Sequence, residues 1–317
     1  MAHFVQPEGV PEWRTPLIYQ PLSGLFMVTN TEARADLALV VVTLLAAAGW
    51  IFSKEALQAF PPLTFVAMRF VSAGVLLGLF AGPSLRAMTL EQWKRALILG
   101  LCFGSAMVFW ILGLQHASHI GVGAFLTSLG VVLVPVVAMF FGDRLPPSSR
   151  FSIPLAAAGL ALLSLDGEFK LGWGESAFVA AAVLFALTFV MNSRAAARLP
   201  VLPLTSIQLV MVGLVSLPLA WIFEDHDLHP DLAAWGWLLA SILIATSLRF
   251  LLQTWAQGKT PASSAAVIMV LEPVWTAILA ILWFDEAMTL VQILGCGLIF
   301  SALLASRWNA LRSMLMG

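Results

Sequence analysis

A single carboxylate lies near the middle of an apolar stretch that is long enough to cross a membrane. At ~1.5 Å per helical residue, residues 262–284 match the thickness of a bilayer, and Glu272 stands near their centre. A charge at that depth costs roughly 2.5 to 3.5 kcal/mol on insertion scales, so it needs a partner or a water-filled cavity. Pro273 follows and removes a backbone donor, which loosens the helix beside the carboxylate. Glu272 is therefore a candidate site for a proton or a substrate ammonium group. The alternative is a structural glutamate that binds backbone amides freed at Pro273.

Polar residues also recur along the apolar run that precedes this stretch. Their spacings of three and four place them on one helical face: Thr246, Arg249, Gln253 and Gln257. We expect Arg249 and Gln253 to line a cavity, and Gln257, near the end of the run, to do so less. The alternative is that the stripe only joins neighbouring helices.

The depths of Arg249 and Glu272 suggest that the two charges meet. Counted from the ends of their runs, they differ in depth by ~5 Å, a gap that long side chains can close. Leaving either charge alone in the membrane is unfavourable, so we predict an ion pair between them.

Two cations in the first two runs form a second candidate group. Trp50 and Lys54 share a helical face with Thr43 and Ala47, and Arg69 lies at a depth similar to that of Lys54. Such cations could attract a carboxylate-bearing substrate. Alternatively, Lys54 extends to the outer interface and Arg69 holds helices together.

Further candidates lie near the ends of two other runs. Trp110 and Gln115 end the third run, and Asn192 shares a face of the sixth with Thr188. Trp50 and Trp110 fit equally a substrate cavity and the aromatic belt at the membrane interface. The two cysteines, Cys102 and Cys296, stand in apolar runs and are interpreted as packed thiols, so neither a disulfide nor a metal site is expected.

The composition is that of a polytopic membrane protein. Of the 317 residues, 60% are apolar and 10% charged, and the mean hydropathy is +0.94, outside the range of soluble domains. Ten apolar runs are predicted to span the membrane: 37–60, 63–80, 96–114, 121–141, 153–165, 177–191, 204–223, 232–256, 262–284 and 290–305.

The distribution of basic residues predicts the orientation. With the N-terminus in the cytoplasm, twelve of the sixteen Lys and Arg residues fall on the cytoplasmic side and only Lys170 falls in an external loop. Both termini are thus predicted to be cytoplasmic, which requires an even number of spans.

An internal repeat relates the fourth and ninth runs. AFLTSLGVVLVPVVAMFFGDRL (124–145) and AVIMVLEPVWTAILAILWFDEAM (266–288) share a small-residue start, a central proline and an acidic end. Blocks of five spans insert with opposite orientations, so we predict an all-α fold of ten transmembrane helices arranged as two inverted five-helix repeats. The predicted units are a flexible cytosolic tail (1–35), the two repeats (36–166 and 174–306) and a cytosolic C-terminal tail (307–317).

The segments 249–288 and 113–145, with the Arg69-Phe70 pair, resemble the ten-helix EamA-type branch of the drug/metabolite transporter superfamily. The resemblance implies secondary transport of small metabolites such as amino acids, by export or exchange, and the expected location is the inner (plasma) membrane. It implies alternating access around a midplane cavity, with no ATP-binding domain and no cofactor.

The expected partners are a small-molecule substrate and the lipid bilayer, without nucleic acid. The coupling ion stays open between protons bound at Glu272 and uncoupled facilitation. The pair Gly100 and Gly104 favours helix packing in a monomer, with a weak homodimer as the alternative. No enzyme activity is expected, because the charged residues are dispersed and no nucleotide-binding or HExxH motif is present. A channel-like protein is the main competitor and a membrane-embedded lipid enzyme the weaker one.

Overall fold

The computed structural model consists of helices throughout the part of the chain that it describes. The described residues are 30–116, 120–143, 149–164, 172–225, 230–284, 290, 291, 293–295, 297, 298, 301, 302 and 305. In chain order the helices are α1 Asn30–Ala56, α2 Pro62–Arg86, α3 Leu90–His116, α4 Ile120–Phe140, α5 Ser149–Ser164, α6 Trp173–Ala196, α7 Val201–Phe223, α8 Leu232–Ala240, the π segment Ser241–Leu248, α9 Arg249–Gln257, α10 Ala262–Met269 and α11 Leu271–Phe284.

Six of these helices are long and apolar enough to cross a membrane, if α8, the π segment and α9 are counted as one. They cover Thr31–Ala56, Pro62–Arg86, Leu90–Gly113, Ser176–Ala196, Val201–Phe223 and Leu232–Gln257. A bilayer offers no partner for backbone N–H and C=O groups, and a helix satisfies these groups within its own segment. The prediction of a polytopic all-α membrane protein is confirmed.

The predicted N-terminal tail differs from the structure, and α1 to α7 each begin before the predicted apolar run. α1 begins at Asn30, so residues 30–35, which the sequence assigned to a flexible tail, are helical. Their polar turn carries Glu32 at the helix N-terminus, where a negative charge is favourable, and hydropathy marks only the apolar turns that follow. The rest of the predicted tails, 1–29 and 307–317, lies outside the described residues.

The helices pack in two groups that meet along α2 and α7, where α10 packs on α4, and where α9 packs on α6 and α7. α2 and α7 make the most extensive contact, and α3 packs on both α6 and α7 while α4 packs on α6. In the other group, α1 packs on α8, the π segment, α9, α10 and α11, and α2 packs on the π segment.

The α2 and α7 backbones touch at two glycines in a reciprocal manner. A Cβ atom on Gly74 would lie 2.6 Å from Val210 N, and one on Gly213 would lie 2.8 Å from Val71 N. Both positions therefore require glycine for the close approach. Because each helix offers its glycine to a valine of the other, the crossing has approximate two-fold symmetry.

The ends of α2 and α7 are also tied together. Glu224 follows α7, and its carboxylate accepts hydrogen bonds from Leu63 N at 2.6 Å and Thr64 N at 2.7 Å, in the first turn of α2. These amides have no partner within their own helix, and the negative charge is favourable at that end.

The predicted GxxxG contact lies within the chain. A Cβ on Gly100 would lie 2.7 Å from Met211 Cβ, and one on Gly104 would lie 3.0 Å from Val215 Cβ. Both glycines therefore serve the packing of α3 on α7, which is the interpretation that the sequence favoured.

Candidate functional site

Arg249 and Glu272 form the predicted ion pair. Arg249 Nη2 donates to Glu272 Oε2 at 3.4 Å, and the two side chains remain 17% and 25% exposed. Within the described residues, the carboxylate is thus bonded to a cation rather than to backbone amides freed at Pro273. A pair of this kind, in the interior of two apolar runs and not fully buried, can exchange one partner for a charged ligand.

Irregular backbone positions both charges. Arg249 is the first residue of α9, directly after the π segment, and Glu272 is the second residue of α11, directly after an interruption at Val270. In the π segment, Thr246 Oγ1 donates to Ser241 O at 2.8 Å, across the five-residue spacing of a π-helix. Irregular backbone at membrane depth is tolerated only where it is buried in protein or lines a cavity.

The interruption of the ninth span lies before Pro273 rather than at it. The sequence predicted one helix that loosens at the proline, but the chain divides into α10 and α11 at Val270. Pro273 consequently falls in the first turn of α11, where its missing N–H leaves no helical hydrogen bond unmade. The same change places the Glu272 carboxylate in the first turn, where the helix dipole favours negative charge.

Two polar atoms beside the ion pair are buried and, among the described residues, have no hydrogen-bond partner. They are Arg249 Nε, a donor, and Gln253 Oε1, an acceptor one helical turn further along α9. The Phe250 ring centroid lies 4.4 Å from Arg249 Cζ and covers one face of the guanidinium. A buried donor and acceptor side by side can bind a ligand that carries both an acceptor and a donor.

The predicted polar stripe does not face one cavity. Thr246 is fully buried against α2, Arg249 reaches α11, and Gln257 is 1% exposed against α6. The prediction of a single face is wrong at Thr246, because the wider turn of the π segment rotates that residue away from the α-helical register. Thr246 and Gln257 join helices, which was the alternative interpretation.

Arg69 of α2 bonds to two other helical elements at once. Its Nε donates to Thr246 Oγ1, its Nη1 to Ser53 Oγ at 3.0 Å, and its Nη2 to Ala245 O at 3.2 Å. A guanidinium with every nitrogen bonded to the protein holds α1, α2 and the π segment together. The geometry favours this helix-holding role over binding of a substrate carboxylate. Lys54 lies in the last turn of α1 with an exposed side chain.

The two tryptophans suggested by the sequence are in contact. Trp50 of α1 and Trp110 of α3 meet edge to face, with ring centroids 5.9 Å apart. The helices that carry them belong to the two packing groups, so this aromatic contact bridges the groups. Gln115 belongs to α3, but its side chain lies outside the described residues.

Asn192 belongs to a buried amide cluster that the sequence did not predict. Asn192 Nδ2 donates to Gln257 Oε1, and Gln208 Nε2 donates to Asn192 Oδ1 at 2.9 Å. We call these three residues the amide triad; they join α6, α7 and α9. The signal for Gln208 was its polarity within the apolar run of α7, but its partners lie on other helices.

Metal binding finds no support in the described residues, which contain no group of three or more His, Cys, Asp and Glu side chains that could hold an ion. Cys102 is a free thiol that accepts a hydrogen bond from Thr188 Oγ1 at 3.3 Å. The side chain of Cys296 lies outside the described part of the chain.

This chain resembles two transporters in sequence and one crystal structure in fold. An uncharacterized transporter of Archaeoglobus fulgidus is 27% identical over 271 residues, which cover 85% of this chain and 84% of the relative. Another uncharacterized transporter of the same organism is 21% identical over 189 residues, covering 60% of this chain and 67% of the relative. A crystal structure superposes with a TM-score of 0.74 at 21% identity, covering 88% of this chain and 98% of the other, and shows a shared fold.

The family comparison is the most extensive. The model of the EamA-like transporter family matches residues 33–165 and again residues 172–308. The family and the relatives are named for transport, which is not a class of enzyme activity. On these matches and its apolar helices, the protein belongs to the EamA-like transporter family and is a multi-pass membrane transporter.

Proposed function

We propose that the protein is a secondary transporter that exports or exchanges small zwitterionic metabolites such as amino acids by alternating access. The observation that carries the proposal is the partly exposed Arg249–Glu272 ion pair, held by irregular backbone in the interior of two spans. The proposed location is the inner membrane, with both termini cytoplasmic and the protein acting as a monomer or weak homodimer.

The chemistry of the pair fits a substrate with one positive and one negative group. A substrate carboxylate can bind Arg249, whose Nε is unpartnered in the described part of the chain, and a substrate ammonium can bind Glu272. Gln253 Oε1 offers a second acceptor to the ammonium. Each protein charge then exchanges one partner for another, so neither is left alone in a low-dielectric site.

Ten spans in two inverted repeats are proposed for the whole chain, with the repeats at 36–166 and 174–306. Two consecutive family matches support the repeat. The packing supports it too. In such a repeat α6 corresponds to α1, α8 to α9 together correspond to α3, and α10 with α11 corresponds to α4. The contacts of α3 and α4 with α6 then have counterparts in the contacts of α8 to α11 with α1. The reciprocal glycine contacts of α2 and α7 have the symmetry that such a repeat requires.

The coupling ion is proposed from the same carboxylate. If Glu272 releases its bond to Arg249 and takes up a proton, transport is coupled to protons; if it stays ionised throughout the cycle, transport follows the substrate gradient alone. A pH gradient distinguishes the two, because only the coupled transporter concentrates substrate against its own gradient in response to it.

The proposal is tested by counterflow in proteoliposomes. Vesicles that contain the purified protein are loaded with a mixture of unlabelled amino acids, and uptake of each labelled amino acid is followed. We expect saturable exchange that is lost in Glu272→Gln, with Ser206→Ala as a matched control in the α2–α7 contact. A channel-like protein gives flux without exchange, and this result, or full exchange in Glu272→Gln, contradicts the proposal.

A further inference from the structure

The amide triad lies toward one end of the helix bundle. Asn192, Gln208 and Gln257 are 6%, 5% and 1% exposed, and two hydrogen bonds link them across α6, α7 and α9. Gln257 is the last residue of α9 and Asn192 lies near the end of α6. The triad therefore lies between the Arg249–Glu272 pair and the end of the bundle that the basic residues assign to the cytoplasm.

A second polar contact lies at the same end. Arg194 Nη2 donates to Asp143 Oδ1 at 2.6 Å and to Phe141 O at 2.8 Å, so the end of α6 is fastened to the chain that follows α4. Each contact depends on a side chain of α6, Asn192 or Arg194, so breaking it breaks no hydrogen bond within a helix.

Exposure changes along α9 in an unexpected order. Arg249, one end of the ion pair, lies deeper along the helix than Gln257, yet it is the more exposed of the two. The buried triad thus separates the partly exposed ion pair from this end of the bundle.

Hydrogen-bonded amides suit a contact that must open repeatedly. When such a contact opens, water replaces the lost hydrogen bonds, so most of the interaction free energy is recovered. Leucines in the same place would expose apolar surface to water on opening, which is unfavourable. Gln257 Nε2 has no partner among the described residues, so the closed contact is not fully satisfied and its stability is limited.

We propose that the amide triad is the cytoplasmic gate of the transporter, opening and closing the route between that side and the Arg249–Glu272 pair. This inference rests on the proposed transport function. The gate alternates between amides bonded to one another and amides bonded to water, while the α2–α7 crossing stays packed.

The test measures access to a position inside the gate and needs no substrate. Gln253→Cys, one turn of α9 above Gln257, is introduced into a full-length chain with Cys102→Ala and Cys296→Ala. A membrane-impermeant maleimide is added in turn to the two faces of membrane vesicles, and the labelling rate is measured. The gate is changed in two opposite ways: Asn192→Leu with Gln257→Leu to seal it, and Asn192→Ala with Gln257→Ala to weaken it.

We expect labelling from the face at which α6 and α9 end to fall about tenfold in the leucine pair and to rise about tenfold in the alanine pair, because the two changes shift the open population in opposite directions. Ser206→Ala, which removes a buried bond to Gly74 O, is the matched control and leaves the rate unchanged. If the pairs fold poorly, Gln208→Leu, which removes one bond of the triad, takes the place of the leucine pair.

Any other pattern overturns the gate: equal rates, faster labelling in both pairs, or no labelling from that face in any variant. Faster labelling in both indicates a structural contact whose loss loosens the protein. The proposed function fails separately, when the unmodified protein shows no counterflow, so the two failures are distinguishable.

Discussion

The two halves of the chain use the same helix in different ways. When Ala124 is aligned with Ala266, Gly130 of α4 takes the place of Glu272 of α11. A Cβ on Gly130 would lie 2.7 Å from Ala182 O, so α4 packs directly on the backbone of α6. In the second half the corresponding helix is interrupted and carries a charge. One copy serves packing, and the other carries the proposed site.

The preceding helix shows the same contrast. The alignment places Met107 of α3 where Arg249 stands, and Met107 packs against an apolar cluster that includes Phe70 and Phe103. α3 is one uninterrupted α-helix, whereas its counterpart contains the π segment. The difference teaches that the half with the two charges is also the half that departs from regular helix, and the proposed site lies at these departures.

Removing Glu272 is expected to have the largest effect. Glu272→Ala leaves Arg249 without its partner, and loss of one member of a buried pair costs about 3 to 5 kcal/mol, toward the lower end here because both side chains are partly exposed. A substrate ammonium also loses its charged partner, which costs about 2 to 5 kcal/mol of binding. Counterflow should therefore fall by about a hundredfold, since each 1.4 kcal/mol is about tenfold. Full activity of this variant would remove Glu272 from the site.

Exchanging the two charges sharpens the result. Arg249→Glu and Glu272→Arg should each abolish counterflow, and the double variant should restore folded yield because the pair forms again. If folded yield recovers and transport does not, the substrate requires the cation at position 249 and the carboxylate at position 272. If the double variant folds no better than the singles, the pair is not the interaction that each single variant loses.

Arg69 should behave as a structural residue in the frame. Arg69→Leu removes hydrogen bonds to Thr246 Oγ1, Ser53 Oγ and Ala245 O, and should lower the free energy of unfolding by about 2 to 4 kcal/mol, given the strength of charged hydrogen bonds. The KM of the folded fraction should stay unchanged. A large rise in KM with unchanged thermal stability would instead make Arg69 a substrate ligand.

The packing half is tested at Gly130. Gly130→Ala places a methyl group against Ala182 O, and the shift needed should cost about 1 to 3 kcal/mol, as overpacking does. Thermal unfolding in detergent measures the loss, and exchange per folded molecule should persist. The matched substitution Gly236→Ala, at a glycine with open space around it, should be nearly neutral. Equal losses of stability at both glycines would argue against tight packing of α4 on α6 as the role of Gly130.

Some of this organisation was accessible from the sequence for physical reasons. The Arg249–Glu272 pair followed from depth and from the unfavourable free energy of an isolated charge in the membrane. The π segment could not be predicted from the sequence, because the apolar pattern of α8 to α9 does not distinguish a π-helix from an α-helix. The interruption at Val270 was missed because Pro273 attracted the prediction, although proline fits a first turn well.

The amide triad and the Arg69 contacts were missed for another reason. Gln208 is one polar residue in an apolar run, and only the packing of three helices brings it to Asn192 and Gln257. Arg69 similarly bonds to a backbone carbonyl and two hydroxyls on other elements, and none of these acceptors has a sequence pattern that marks it.

The smallest expected effect concerns the aromatic contact between the two packing groups. Trp50→Leu removes one ring of the Trp50–Trp110 pair, and an edge-to-face pair contributes about 0.5 to 1.5 kcal/mol beyond the area it buries. If the rings lie beside the substrate, KM should rise several-fold for amino acids with large apolar side chains and change little for glycine. Trp50→Phe, which keeps an aromatic ring, should recover most of the loss. An equal rise in KM for all substrates would give the pair a structural role like that of Arg69, rather than a place in the site with Glu272. A contact that only joins helices cannot discriminate between side chains of the substrate.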